Sequence, residues 1–140
     1  MLCTRLTEQY GLKVPFVSAG MGFVAVPELV AAVSNAGGLG LLGASPAPPL
    51  AMQAMIQTTK SLTSHPFGVD LIIAETAFGP CATDEHIEVC VTEGVKVVVF
   101  HWNLPLAVWV EQLHAAGAKV WVQVGSVARA REKDIVTRPW

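Results

Sequence analysis

Charge is scarce in this sequence. Of 140 residues, 9 are Lys or Arg and 11 are Asp or Glu, together 14%, where about 25% is usual for a globular chain. The net charge of −2 comes with no basic stripe, which excludes the electrostatic footprint of a nucleic-acid binder. No run nears the ~18 apolar residues of a membrane span. The opening stretch MLCTRLTEQYGLK is polar and charged where a signal peptide would be apolar. Three cysteines, Cys3, Cys81 and Cys90, are an odd number without Cys-x-x-Cys spacing. A disulfide framework and a zinc site are therefore not expected, and a reducing cytoplasm is the expected location. With 52% apolar residues, the 140-residue length is enough for one compact domain over residues 1–140 with a sizeable core, and too short for two.

Short apolar runs alternate with helical patterns. The strand candidates are Pro15–Ala19, Gly38–Leu42, Phe67–Ile73, Val95–His101 and Lys119–Val124, with starts separated by 23, 29, 28 and 24 residues. Each interval fits one strand, one helix and two short loops, so the chain reads as about four and a half βα units. Pro27 predicts a first helical turn and Gly37 a left-handed stop, with Leu29, Val30 and Val33 as the apolar stripe. A second helix is expected over Leu50–Leu62. A third is expected from Thr83 or Asp84 through Ile87, Cys90 and Val91 to Gly94. A fourth starts at Pro105, carries Leu106, Trp109, Val110 and Leu113 on one face, and stops at Gly117. Strands joined by helices imply a parallel sheet with right-handed crossovers. An open doubly wound sheet and part of a (βα)8 barrel both satisfy this pattern; a whole barrel needs about 250 residues.

Gly38-Leu39-Gly40-Leu41-Leu42-Gly43 matches Gly-x-Gly-x-x-Gly, but the context of a dinucleotide fingerprint is missing. A helix precedes it, prolines follow at 46, 48 and 49, and no acidic residue lies between Glu28 and Asp70. It is better read as a helix stop running into a buried strand. The Ala19-Gly20-Met21-Gly22 turn follows the first strand, at the sheet edge where ligands bind in either architecture. Its glycines let backbone amides approach a flat, polar-edged ligand; a plain tight turn is the alternative. Asp70 interrupts an apolar strand, which is costly unless the carboxylate is paired or meets a ligand. On the last strand Val120, Val122 and Val124 alternate with Lys119, Trp121 and Gln123. In a barrel the aliphatic face would meet the helices and Gln123 would point inward. His101 ends its strand as a candidate for ligand contact or proton transfer, or as a structural histidine bonded to a neighbouring loop. His65, His86 and His114 read as surface residues, and Cys81 and Cys90 have no histidine partner nearby in sequence.

The stretches LTEQYGLKVPFVSAGMG, PELVAAVSNAGGLGLLGAS, HPFGVDL, GVKVVVFHWNLP and LHAAGAKVWVQVGSVARA, in this order and spacing, resemble the N-terminal half of the nitronate monooxygenase (2-nitropropane dioxygenase) family. The resemblance implies a (βα)8 TIM barrel that holds FMN at its C-terminal mouth and oxidises alkyl nitronates with O2. It implies that Ala19, Gly20, Met21 and Gly22 border the isoalloxazine ring, and that Gln123 approaches it. Asp70 stands near the flavin where the family often has Asn.

Asp70 is one departure from the family pattern. Another is that the Gly-Gly-His stretch carrying the family's histidine base is absent, as are the phosphate-binding loops after strands seven and eight. His101 is then the candidate catalytic residue within this chain. The final REKDIVTRPW also leaves the family pattern, so the sequence reads as a truncated barrel. A half barrel has unpaired edges and an uncovered inner face, and each apolar side chain left in water forfeits roughly 1.5–3 kcal/mol. Instability or self-association through strand edges is therefore expected. Two rival functions accompany the first: an FMN-dependent enoyl reductase-like oxidoreductase, and a non-catalytic remnant or interaction module.

Overall fold

The computed structural model describes residues 2–45, 47–77 and 79–131; Pro46 and most of the charged C-terminal stretch lie outside them. In chain order the elements are α1 (Arg5–Tyr10), α2 (Pro27–Asn35), β1 (Gly40–Gly43), α3 (Pro49–Leu62), β2 (Phe67–Ile72), the short pair β3 (Glu75–Thr76) and β4 (Gly79–Pro80), α4 (Asp84–Thr92), β5 (Val97–His101), α5 (Ala107–Ala115), β6 (Lys119–Val122) and α6 (Val127–Ala130). The glycines expected to stop helices do so left-handed, with φ of 97° at Gly37, 63° at Gly94 and 79° at Gly117. The Gly38–Gly43 stretch is the approach to β1 and β1 itself, all of it buried.

Strands β1, β2, β5 and β6 form one parallel sheet in that spatial order. The first expected strand, Pro15–Ala19, shrinks to a single parallel bridge between Val17 and Leu39 beside β1. Pro15 has no N–H to give a ladder, and the glycine turn takes the chain away a few residues later. Spatial order thus follows chain order throughout. A doubly wound sheet would reverse at a switch point; here every crossover advances one strand in the same direction. The helices accordingly pack as neighbours, α2 on α3, α3 on α4 and α4 on α5. This is a consecutive arc of a (βα)8 barrel.

Strand alternation separates two cores. Leu42, Val69, Leu71, Val98 and Phe100 face the helices and meet Val30, Met52, Ile56, Ile87, Trp109 and Leu113. Leu39, Leu41, Val97 and Val99 face the barrel interior, with Trp121 packed against them. Two expected helix faces are corrected. Leu29 is 36% exposed while Ala31 and Ser34 are buried, because Ser34 turns inward: its hydroxyl donates to the Pro66 carbonyl at 2.9 Å and accepts from the Gly40 N–H at 3.2 Å. Leu106 precedes α5 as its N-cap and is 56% exposed.

The inner face is also less bare than expected. Thr4 and Thr7 cap α1 reciprocally at 3.2 and 2.8 Å, and Gly11 turns the chain so that Leu12 is buried on the interior cluster beside Leu6 and Tyr10. The Trp121 indole N–H donates to the Tyr10 hydroxyl at 2.8 Å. A polar N-terminal segment thus covers part of the interior.

Candidate functional site

The same alternation that buries Val97 and Val99 inside the arc places His101 on the interior face of β5. It places Asp70 on the interior face of β2, and Gln123 in line with Trp121. All three lie toward the C-terminal ends of their strands. Asp70 is 2% exposed, and neither carboxylate oxygen has a hydrogen-bond partner among the described residues. His101 Nε2 lies 3.3 Å from Asp70 Oδ2, an ion-pair distance without hydrogen-bond alignment, and the imidazole side chain is 28% exposed. Burial pushes the Asp70 carboxyl up to about 6, while the charge of His101 and the approach of the Gly20 N–H pull it down. The Gly20 amide favours the ionised form without reaching hydrogen-bond geometry.

The Ala19–Gly22 turn presses onto these strand ends. A Cβ at Gly20 would lie 2.2 Å from the Asp70 carboxylate, and one at Gly43, the β1 residue paired with Asp70, would lie 2.3 Å from the Met21 carbonyl. Only glycine permits either approach. The Met21 carbonyl accepts from the Val24 and Ala25 amides at 3.2 and 2.8 Å, which leaves the Met21 side chain outside, 44% exposed. The Gln123 N–H donates to the Phe100 carbonyl at 2.9 Å, continuing the β5–β6 ladder, and its side chain is exposed. The structure therefore brings Gly20, Asp70 and His101 into contact. Ala19, Met21, Gly22 and Gln123 share their edge.

Sequence reasoning missed two residues here. Phe23 and Trp102, on loops leaving this edge, have positive φ of 63° and 76° and are 86% and 70% exposed. Left-handed backbone at a bulky residue is a strained outlier, and no sequence pattern marks it. His101 bonds no neighbouring loop through its ring; its carbonyl accepts from Ile73 and Asn103, both at 3.0 Å.

Elsewhere, His65 and His114 are exposed as expected, but His86 is buried at 4%. Its Nδ1 accepts from the Thr83 N–H at 3.2 Å, so Nε2 carries the proton and donates to the Ala47 carbonyl at 3.0 Å. His86 therefore closes the start of α4 rather than lying on the surface. Cys90 is buried, and burial pushes its thiol up to about 12, which leaves it inert. Among the described residues no cluster of three metal-ligating side chains occurs, and no helix is long and apolar enough to cross a membrane.

The sequence profile of the nitronate monooxygenase family matches residues 3–135. A Rhodococcus jostii protein named (3aS,4S,5R,7aS)-5-hydroxy-7a-methyl-1-oxo-octahydro-1H-indene-4-carboxyl-CoA dehydrogenase is 37% identical over 131 residues, 94% of this chain and 35% of that protein. A probable nitronate monooxygenase of Staphylococcus haemolyticus is 42% identical over 69 residues, 49% of this chain and 19% of that one. Among solved structures, FabK from Thermotoga maritima superposes with a TM-score of 0.84 at 32% identity, over 96% of this chain and 42% of FabK. A nitroalkane oxidase from Streptomyces ansochromogenes does so with a TM-score of 0.82 at 29% identity, over 94% of this chain and 46% of the oxidase. The chain spans about a third of the length of the curated relatives that it matches over 94% of its residues, 35% of each.

Proposed function

The chain belongs to the nitronate monooxygenase family, and on that premise we propose that it forms the cofactor-contacting part of an FMN-dependent oxidoreductase that oxidises alkyl nitronates with O2. The observation that carries this reading is the buried Asp70 carboxylate beneath Gly20, which has His101 as an ion-pair neighbour but no hydrogen bond among the described residues, at the strand edge where barrels bind ligands. The residues fit a flavin. A flat heterocycle with a polar rim needs close backbone approach and buried polar atoms, and Gly20, Gly22 and Asp70 supply both. FMN, when bound, would take the substrate's electrons and pass them to O2.

The protein's own part is to hold and orient. The Ala19–Gly22 backbone would border the ring and the Gln123 amide would approach it. Asp70, where the family often has Asn, acts on charge: ionised, it disfavours further negative charge beside it, and protonated it donates a hydrogen bond as an amide does.

The test is an absorption spectrum of the purified protein with and without added FMN, followed by turnover of ethylnitronate under O2. Flavin bands and turnover are expected; a colourless protein that takes up no FMN would favour a non-catalytic interaction module. The 37% identity to a CoA-ester dehydrogenase favours one second reading, an FMN-dependent oxidoreductase of acyl-CoA thioesters. Assaying a thioester in parallel separates the two.

A further inference from the structure

We propose that the chain carries a second small-molecule site, at the opposite end of the strands from the Asp70–His101 edge, which binds a small carboxylic acid with an apolar body. It stands independently of the flavin reading. A cavity of about 340 Å³ opens where β2 begins at Phe67 and where the Gly94–Lys96 loop leads into β5. That volume lies within the usual range of ligand pockets, about 300–1,000 Å³. Three parts of the fold close it off from the strand ends outward. Tyr10 comes from the end of α1, Lys60 from the last turn of α3, and Ser64 and His65 from the loop between α3 and β2. Buried Phe67 and Val95 give the cavity its apolar surface.

The polar groups around it decide what it holds. Among the described residues no Asp or Glu lines it. Lys60 is already engaged, its Nζ 2.7 Å from Glu93 Oε2. That bond, with those from Gln53 and Gln57, holds the Glu93 carboxyl down at about 2, so the two charges cancel. Lys96 differs: among the described residues its ammonium group has no ion pair or hydrogen bond, which leaves one unmatched positive charge at the cavity. The Tyr10 hydroxyl accepts from the Trp121 indole at 2.8 Å and keeps its own proton to donate. The Ser64 hydroxyl and a His65 ring N–H are likewise donors without an acceptor among the described residues. One unmatched cation and three further donors beside apolar walls suit a single carboxylate on a hydrocarbon body. A neutral ligand would leave Lys96 unmatched, and a phosphate monoester, with a charge of about −1.5 to −2, would exceed it. A ligand held here joins α1 to the loops before β2 and β5, and binding to the folded state alone raises stability.

Titration of benzoate into the ¹⁵N-labelled full chain, without flavin, tests this. Saturable amide shifts are expected at Ser64, His65, Gly94, Val95 and Lys96, with a Kd on the order of 1 mM. Benzamide, of the same shape without the charge, is expected to bind about tenfold more weakly, and inorganic phosphate more weakly than benzoate. Lys96 is exposed, so Lys96→Gln should leave the urea midpoint unchanged while weakening benzoate about tenfold. Benzamide or phosphate binding as tightly as benzoate would overturn the carboxylate assignment, and this comparison needs no variant. Benzoate affinity unchanged in Lys96→Gln would overturn the pairing with Lys96. No saturable shift at these amides, or shifts confined to the Gly20–Asp70 edge, would overturn the site itself.

Discussion

Asp70 is where the physics of single residues is most exposed. Its folded carboxyl titrates near 6 against an ordinary 3.8, so the native state binds that proton more tightly than the unfolded chain does. Between those values stability falls as pH rises. Asp70→Asn removes the fall and should raise stability at pH 7 by about 1–3 kcal/mol, read from urea midpoints at pH 4.5 and 7. An unchanged difference between the two pH values would contradict the assignment. Gly20→Ala places a methyl group against the same carboxylate and should cost about 1–3 kcal/mol, measured in the same melts. At this scale the sequence was informative about cost and silent about geometry. An acid in FGVDLI announces that something must compensate it, but nothing in the string shows that His101 lies 3.3 Å away. His86 is buried rather than exposed for a related reason: its ring bonds the carbonyl of Ala47, 39 residues earlier.

Among the elements, stops and starts were the legible part. Gly37, Gly94 and Gly117 each end a helix because only glycine tolerates the left-handed turn, and Pro27 and Pro49 each begin one. What escaped were elements without periodicity. α1 is six residues long with no apolar stripe, and β3 and β4 are two residues each. Helix α4 offers a test of how its start is held. His86→Ala removes the acceptor of the Thr83 N–H and the donor to Ala47, and should cost about 0.5–2 kcal/mol by analogy with lost caps. Loss of helical circular dichroism at a lower urea concentration is the expected readout; an unshifted midpoint would mean that Thr83 alone suffices.

For the whole molecule, the βα rhythm predicted parallel strands, and the observed strand order selected the barrel arc over the doubly wound sheet. The rhythm could not show that the polar N-terminus folds inward over Leu39, Leu41, Val97 and Val99. That cover reduces the interior surface left in water without pairing the outer strand. Among the described residues β6 has a strand neighbour on one side only, β5, and Phe16, Phe23 and Trp102 are more than half exposed. Exposed groups of this kind predict self-association at micromolar concentration. Size-exclusion chromatography should show dimers or larger species, and a monodisperse monomer with cooperative urea unfolding would count against it.

The central claim is that the C-terminal edge of this arc, from the Ala19–Gly22 turn to Gln123, is where a flavin ring rests. Titration of FMN into the ¹⁵N-labelled chain, followed by amide shifts, addresses it most directly. The account predicts saturable shifts concentrated at Gly20, Met21, Gly22, Asp70 and Gln123, with little change at the opposite strand ends near Lys96. Shifts scattered over the surface, or centred on that opposite end, would contradict it.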